Sequence, residues 1–348
     1  MDPVTHGLSS WLVSRAGFNR ISPHATTILI FAGLLPDLDM LSIFGGPQAY
    51  LLFHHTVTHS LLGAVLLALA IAAAFYLLDR RGGDNSVATR VGRNEEPISL
   101  QSALALSASG VALHVLLDVC GTDGVRLLWP FNGHFYSWDL LPFIDPIIQF
   151  LLLAGIALPS LVRLVSDEIG ERRRARPPIR GAVLALICMA AYIGLRADLH
   201  SRAVNLLLSH DYHGNIPTIA GAFPEGNSPF SWRGVASTQN TIEVADLLLA
   251  GGEPFKADNT VTNFKPDPSA ALSAAQQAKV SREFLVAARF PIANIETTDT
   301  GYQFTMHDLR FPEDSADPLN LRAVVNLNFE NQVISQALVR QSSWLSWL

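Results

Sequence analysis

The segment FHHTVTHS, residues 53–60, sets His54, His55 and His59 directly before LLGAVLLALAIAAAFYLL, an apolar run with no charge until Asp79. Imidazole gains nothing from lipid, and ionisable groups at membrane segments are rare and usually functional. Three further motifs carry such groups: DPVTHG with His6, LLPDLD with Asp37 and Asp39, and HVLLD with His114 and Asp118. Imidazole and carboxylate donors together suit zinc or another first-row divalent ion, held at about 2.0–2.2 Å. His114 and Asp118 stand four apart, on one helical face. Asp37 and Asp39 follow Pro36, where a helix gives way and a turn can aim both carboxylates at one centre. The candidate ligands are His6, Asp37, Asp39, His54, His59, His114 and Asp118. They exceed what one tetrahedral site requires, so two or three ions with bridging carboxylates are expected.

The surrounding elements must bring these motifs together. Stretches near 60–78, 100–118, 147–165 and 181–198 are long and apolar enough to span hydrocarbon, which takes about 20 helical residues. Shorter stretches near 7–18 and 24–36 suit a half-depth hairpin. His6 begins the first short helix, and Asp37 and Asp39 end the second. His54 and His59 begin the first long span, and His114 and Asp118 end the second. In an up-and-down bundle, start, end, start and end fall at one level. Arg80, Arg81, Arg90 and Arg93 follow the first long span, and Arg172, Arg173, Arg174, Arg176 and Arg180 follow the third. The segment between them, 119–146, holds only Arg126. The positive-inside rule then puts both arginine loops in the cytoplasm, with the ligand motifs and everything after residue 200 outside.

Composition agrees with a membrane protein. Of 348 residues, 49% are hydrophobic and only 16% charged, against roughly 25% charged in soluble domains. Mean hydropathy is +0.27. The formal charge of -6 offers no basic footprint, so nucleic acid is not expected as an obligatory partner. Cys120 and Cys188 make no disulfide framework, and Cys120 reads as a packed small residue. The N-terminus has an acid and a histidine where a signal peptide has basic residues, so it reads as retained. After residue 200 come turn-rich HGNIPTIAGAFPEGNSPFSW and strand-like YQFTMHDLRF and LRAVVNLNFENQVISQALV, interrupted by helix-like SAAQQAKVSREFLVAARF. The chain therefore reads as mainly α: a helical transmembrane bundle over 1–199, then an extracytoplasmic α+β domain with antiparallel strands over 200–348.

Between the second and third spans lies GTDGVRLLWPFNGHFYSWDLLPFIDP, residues 121–146. Asp123, His134, Asp139 and Asp145 are candidates there for a further ligand, a general base or a substrate contact, with Asp123 and Asp145 as the catalytic choices. Asp145 precedes Pro146 and a helix, so capping competes with catalysis. Trp129, Phe131, Phe135, Tyr136 and Trp138 suit an aromatic belt at headgroup level. Thr58 and Ser60 stand where they can orient the histidines. His24, His55, His200, His210 and His213 read as satisfied interfacial residues.

LLPDLD, HHTVTHSLL and HVLLDVCGTDGVRLLWPF resemble the signature blocks of the YdjM-like family of membrane-bound metal-dependent hydrolases, some of them LexA-regulated inner-membrane proteins. The resemblance covers residues 1 to about 150. The usual middle block reads H-R-G-x-T-H-S; His54, Thr58, His59 and Ser60 fit it, and His55 stands at the arginine position. The resemblance implies a helical core shared with zinc-dependent phospholipase C and the zinc nucleases, which hydrolyse phosphoesters at a three-zinc site. It assigns the same seven residues as metal ligands. The expectation is a hydrolase acting on a lipid or lipid-linked phosphate at the outer face of the cytoplasmic membrane. The alternative is a non-catalytic membrane protein with a structural or sensing metal site and a partner-binding outer domain. A transporter fits less well, because its polar residues belong near mid-membrane.

Overall fold

The computed structural model describes residues 1–81, 97–168, 179–212, 214–251, 260–315 and 317–340, with side chains throughout except at 162–168. Arg90, Arg93, Arg172, Arg173, Arg174, Arg176 and His213 lie outside the described residues. The chain divides into two compact units, the first comprising Met1–Asp39, His55–Asn132 and Tyr136–Arg196. The second comprises Met40–His54, Gly133–Phe135 and the chain from Ala197 onward.

The first unit is helical. Helix α1 (Pro3–Arg15) starts where sequence chemistry says it should: Asp2 caps it by accepting from the Thr5 amide at 3.0 Å, and proline takes the first position. Its buried face is polar, made of Thr5, His6, Ser9, Ser10 and Ser14 with Leu12. Helix α2 (Ala25–Leu34) passes into 3-10 turns over Leu35–Gly45. The short helix α3 (Pro47–Phe53), which belongs to the second unit, precedes α4 (Leu61–Arg81) and α5 (Leu100–Cys120); α6 (Pro146–Glu168) and α7 (Ile179–Ser209), whose end from Ala197 belongs to the second unit, complete the long helices. Among the described residues, four stretches have the length and hydropathy to cross a membrane: Ala25–Gly45, Leu61–Arg81, Leu100–Cys120 and Ile179–Ser209.

This set corrects the expected one. Pro36 ends the α-helical bonding of α2 but not the rod, because 3-10 turns continue to Gly45 and lengthen what reads in the sequence as a half-depth segment. The span expected over 147–165 falls on α6, whose side chains are described only as far as Leu161.

Ala25, Ile28, Leu29 and Ala32 of α2 pack on Ala68, Ile71 and Ala72 of α4 and on Ala103, Leu106, Val111 and Val115 of α5. The approach is close because the contacts are small. A Cβ at Gly110 would meet the Ala32 Cβ at 2.5 Å, and one at Gly33 would meet Ser10 Oγ at 2.0 Å. Elsewhere α4 turns Leu61, Leu62, Val65, Leu66 and Leu69 outward, as a lipid-facing helix does. At the far end from LLPDLD, His24 at the start of α2 meets Asp79 at the end of α4 at 3.0 Å. Asp79 also accepts the Ile98 amide just before α5. The helices thus run up and down with registered ends.

The second unit holds two four-stranded antiparallel meanders. One is β1 (Ile219–Pro224), β2 (Ser231–Ser237), β3 (Thr241–Leu248) and β4 (Val261–Phe264); the other is β5 (Pro291–Thr298), β6 (Gly301–Asp308), β7 (Leu321–Asn328) and β8 (Val333–Arg340). Helices α8 (Ala270–Gln277) and α9 (Lys279–Ala287) lie between them in sequence and bury Leu272, Val280 and Phe284 against Phe304, Val325 and Leu327 of the second sheet. The first sheet buries Ala222, Trp232 and Leu247 against Leu199, Ala203 and Leu207 of α7. Antiparallel strands with helices agree with the α+β class read from the sequence.

Candidate functional site

The buried polar groups of the first unit gather at one end of the bundle. His6 comes from the first turns of α1, Asp37 from the turns after α2, His59 from the residues just before α4, and His114 and Asp118 from the last turns of α5. His6, His59, His114 and Asp118 are almost completely buried and Asp37 is 8% exposed. Donor atoms of His6, Asp37, His114 and Asp118 all lie within 4.8 Å of one another, and so do those of Asp37, His55, His59 and Asp118.

Hydrogen bonds at the back of three of the rings decide which nitrogen faces inward. His114 Nδ1 lies 2.8 Å from the Gly33 carbonyl, so the same glycine that lets α1 and α2 close together also orients a histidine. His59 Nδ1 lies 3.0 Å from Asp39 Oδ2 and 3.0 Å from Thr58 Oγ1. His55 Nδ1 lies 2.9 Å from the Gly124 carbonyl. An Nδ1–H donated to an oxygen leaves Nε2 as the ligand atom, the usual arrangement of metal-binding histidines. The His59 and His114 Nε2 atoms stand only 2.9 Å apart. Two lone pairs at that separation call for a cation or proton between or beside them. Burial disfavours charge on His59, but Asp118 and Asp39 outweigh it and lift its pKa to about 9.

Asp37 makes the same demand more sharply. Both its carboxylate oxygens are buried and accept no hydrogen bond, a costly state for a polar group. Its Oδ1 lies 3.6 Å from His114 Nε2 and 3.9 Å from His59 Nε2, too far for hydrogen bonds. Two donors at 2.0–2.2 Å on a tetrahedral ion stand about 3.4 Å apart, so the spacing suits neighbouring ligands. Asp118 lies 2.9 Å from His114 Nε2, 3.2 Å from His59 Nε2 and 3.0 Å from His6 Nε2. The donor set fits a divalent cation. Met1, His55, Asp118, Thr122, Asp123, Pro142 and Phe143 line a tight cleft beside it, with no room for a water molecule.

Several roles expected from the sequence change once side chains have directions. Asp39 joins none of the donor clusters among the described residues, and its Oδ2 lies behind His59 instead. It accepts from the His55 amide at 2.9 Å and from Thr58 Oγ1 at 3.0 Å while backing His59, so it positions the ligand that Thr58 also supports. Ser60, expected to orient a histidine, donates to the Val57 carbonyl and accepts the Gly63 amide at 3.0 Å; it starts α4. Asp145, for which the sequence left catalysis and capping open, does cap α6: Oδ1 accepts the Ile147 and Ile148 amides and Oδ2 accepts the Tyr192 hydroxyl. Asp123 stays available at the cleft. His54 keeps its place among the residues whose donors could hold a metal ion; its amide closes α3 on the Tyr50 carbonyl and its ring stacks on Tyr50 at 4.4 Å. Cys120 is buried and joins none of the donor clusters among the described residues.

His55 is the residue that sequence reasoning passes over. Its φ of 52° is left-handed, uncommon for a residue with a side chain. Its carbonyl accepts from the Arg126 amide, and the Leu61 amide donates to Leu127, so the 121–127 segment clamps the histidine turn from outside. The one signal in the sequence is its place between two other histidines.

Fold and site together define a polytopic membrane protein with a buried His/Asp centre at one end of its bundle. Residues 1–202 match the family model described as YdjM inner membrane protein, and the chain belongs to that family. Neither a curated protein nor a solved structure matches it.

Proposed function

We propose that the protein is a membrane-embedded, metal-dependent hydrolase of phosphoesters, acting on a lipid or lipid-linked phosphate at the outer face of the cytoplasmic membrane. The observation that carries this reading is the convergence of Nδ1-anchored histidines on Asp37, a buried carboxylate with no hydrogen bond. His6, Asp37, His59, His114 and Asp118 would hold the ion, zinc or another first-row divalent metal. When bound, such an ion lowers the pKa of water and stabilises charge on a phosphoryl oxygen. The chain's own residues do the rest. Asp37 and Asp118 supply the negative charge that retains a cation. Asp39, Thr58 and the Gly33 carbonyl hold the rings in one tautomer. Asp123 at the cleft would take a proton from the attacking water as its oxygen bonds to phosphorus, and give that proton to the leaving-group oxygen as the bond from phosphorus to it breaks. A phospholipase C-like arrangement of the helical core belongs to the same proposal. The cluster's place at the end of the apolar helices, with Phe131 and Trp138 exposed in the same unit, supports a substrate at headgroup depth.

The near-complete burial of the donors favours one second reading, a structural or sensing metal, since structural sites are closed and catalytic ones keep an open position. Asp118→Asn separates the two. For a hydrolase, it abolishes cleavage across a phosphoester panel while the protein stays folded in the membrane, and metal affinity falls at least about 10- to 100-fold. Turnover that survives complete, verified metal removal would overturn the mechanism. Metal-replete wild type inert across the panel would shift the reading to the structural or sensing role.

A further inference from the structure

We infer that the second unit carries a binding pocket for a small zwitterion, an aliphatic α-amino acid, whose carboxylate is held by Arg233 and whose ammonium is held by Asp246. The inference does not rest on the metal centre or on the proposed activity.

The pocket lies on one face of the first sheet. There Arg233 stands directly opposite Asp246, Val244 opposite Val261 and Ile242 opposite Asn263, and residues opposite one another on neighbouring strands share a face. The reverse face packs Trp232 and Leu247 on α7. On the pocket side, Phe223, Val235, Ile242 and Val244 form a core with Phe290, Ile292 and Leu309. Beside that core is a cavity of about 250 Å³, with Arg233, Asp246 and His307 in its walls and Val244, Val261 and Leu309 as its apolar lining. Small-molecule sites usually run from about 300 Å³ upward, so this one suits a molecule of amino-acid size.

The charges identify the ligand. Opposite charges directly across two strands ordinarily attract into a pair, yet no ion pair joins Arg233 to Asp246 among the described residues. Arg233 instead turns its Nε to the Leu309 carbonyl at 3.0 Å, which leaves the terminal nitrogens of the guanidinium for another acceptor. Asp246 has a second carboxyl beside it, for burial and the Asp246 charge together raise the pKa of Glu225. A cation and an anion, adjacent but unpaired, thus face one cavity. A molecule with a carboxylate and an ammonium on neighbouring atoms satisfies both. The neutral groups favour donors on the ligand. Asn263 and Asn320, which also line the cavity, spend their amide hydrogens on backbone carbonyls, so each offers an oxygen. His307 keeps a buried Nδ1 without a hydrogen bond. Glu313 at the cavity is exposed and already faces Arg322 at 3.7 Å, so it leaves the balance unchanged. A neutral sugar would leave both charges unpaired, and a simple anion would meet Asp246.

The test titrates the full-length protein in detergent with L-leucine and with two analogues that each lack one charge, leucinamide and 4-methylpentanoate, read by isothermal titration calorimetry. Wild type should bind one L-leucine per chain and each analogue about 10- to 100-fold more weakly, the loss expected for one charged hydrogen-bonding partner. Arg233→Gln should weaken L-leucine by a similar factor and leave leucinamide unchanged. Asp246→Asn should weaken L-leucine and leave 4-methylpentanoate unchanged. The retained analogue shows that each variant is folded. D-glucose and phosphoethanolamine, a neutral polyol and a lipid-headgroup zwitterion, should bind at least about 10-fold more weakly than L-leucine. The wild-type titrations need no variant to fold. Failure of L-leucine, L-valine and L-methionine alike to saturate wild type by about 10 mM would overturn the inference. So would glucose or phosphoethanolamine binding as tightly as L-leucine, or undiminished L-leucine affinity in both variants. None of these readouts depends on metal content or hydrolysis, so this pocket and the proposed activity stand or fall separately.

Discussion

Each unit of the molecule buries a carboxylate, and the two are treated in opposite ways. In the second unit Asp308, 3% exposed, accepts the amides of Arg289, Phe290 and Arg310 and the Arg310 Nε, at 2.8–3.2 Å. Arg310 in turn donates to the Ala287 carbonyl at 3.2 Å. Both oxygens are satisfied by the protein itself, and this closes the end of β6. In the first unit Asp37 is buried without any hydrogen bond, facing imidazoles at 3.6 and 3.9 Å. A satisfied buried charge stabilises a fold. An unsatisfied one surrounded by oriented lone pairs is a cost that a bound cation or a proton offsets.

The largest effect should come from breaking the satisfied network. Asp308→Ala leaves Arg310 buried without its counter-charge and should cost about 3–5 kcal/mol, read by denaturant unfolding in detergent, with metal content unchanged. Acid should act through the same group. Burial pushes the Asp308 pKa up, but Arg310 and the backbone amides outweigh it and hold the group below its ordinary value. Its contribution is therefore complete above the unfolded-state value of about 3.9 and is lost as pH falls through the lower folded-state pKa. The acid-side loss of stability should be shallower in Asp308→Ala than in wild type. An unchanged slope would remove Asp308 as its source.

Asp37→Asn sharpens the contrast from the other side. Metal affinity should drop about 10- to 100-fold, yet the chelated protein should be no less stable, gaining roughly 1 kcal/mol because a neutral amide replaces an unpaired carboxylate. Destabilisation of the chelated protein would show that Asp37 serves the fold as Asp308 does. Asp145→Ala removes a helix cap and should cost about 1 kcal/mol without altering metal stoichiometry. The smallest change belongs to His24→Ala, whose partner is Asp79 and whose side chain is 45% exposed. Its effect on thermal stability should stay within about 0.5 kcal/mol, with metal content intact.

The apolar helices and the residue types of the centre are legible in the sequence because both are local properties. Hydropathy over about 20 residues is a property of a window, and the four-residue spacing of His114 and Asp118 follows from helix geometry. The level at which LLPDLD, HHTVTHS and HVLLD end up follows from counting helix ends. The length of the second segment is not legible, because proline stops α-helical bonding without saying whether 3-10 turns carry the rod onward.

What the sequence by itself determined was a membrane protein with histidines and carboxylates at its helix ends. The tertiary structure alone decided which of them converge and in what capacity. Asp39 and Asp37 are two residues apart, yet one backs His59 and the other faces it. Asp123 and Asp145 share a loop, yet one lines the cleft and the other caps α6. His55 is oriented by the carbonyl of Gly124, sixty-nine positions away, and His114 by that of Gly33, eighty-one away. A backbone carbonyl is the same in every residue, so no sequence pattern marks the ones that aim an imidazole. Only the packing of α1, α2 and α5 and the fold of the 121–127 segment place those oxygens behind the rings and turn a set of donors into a site.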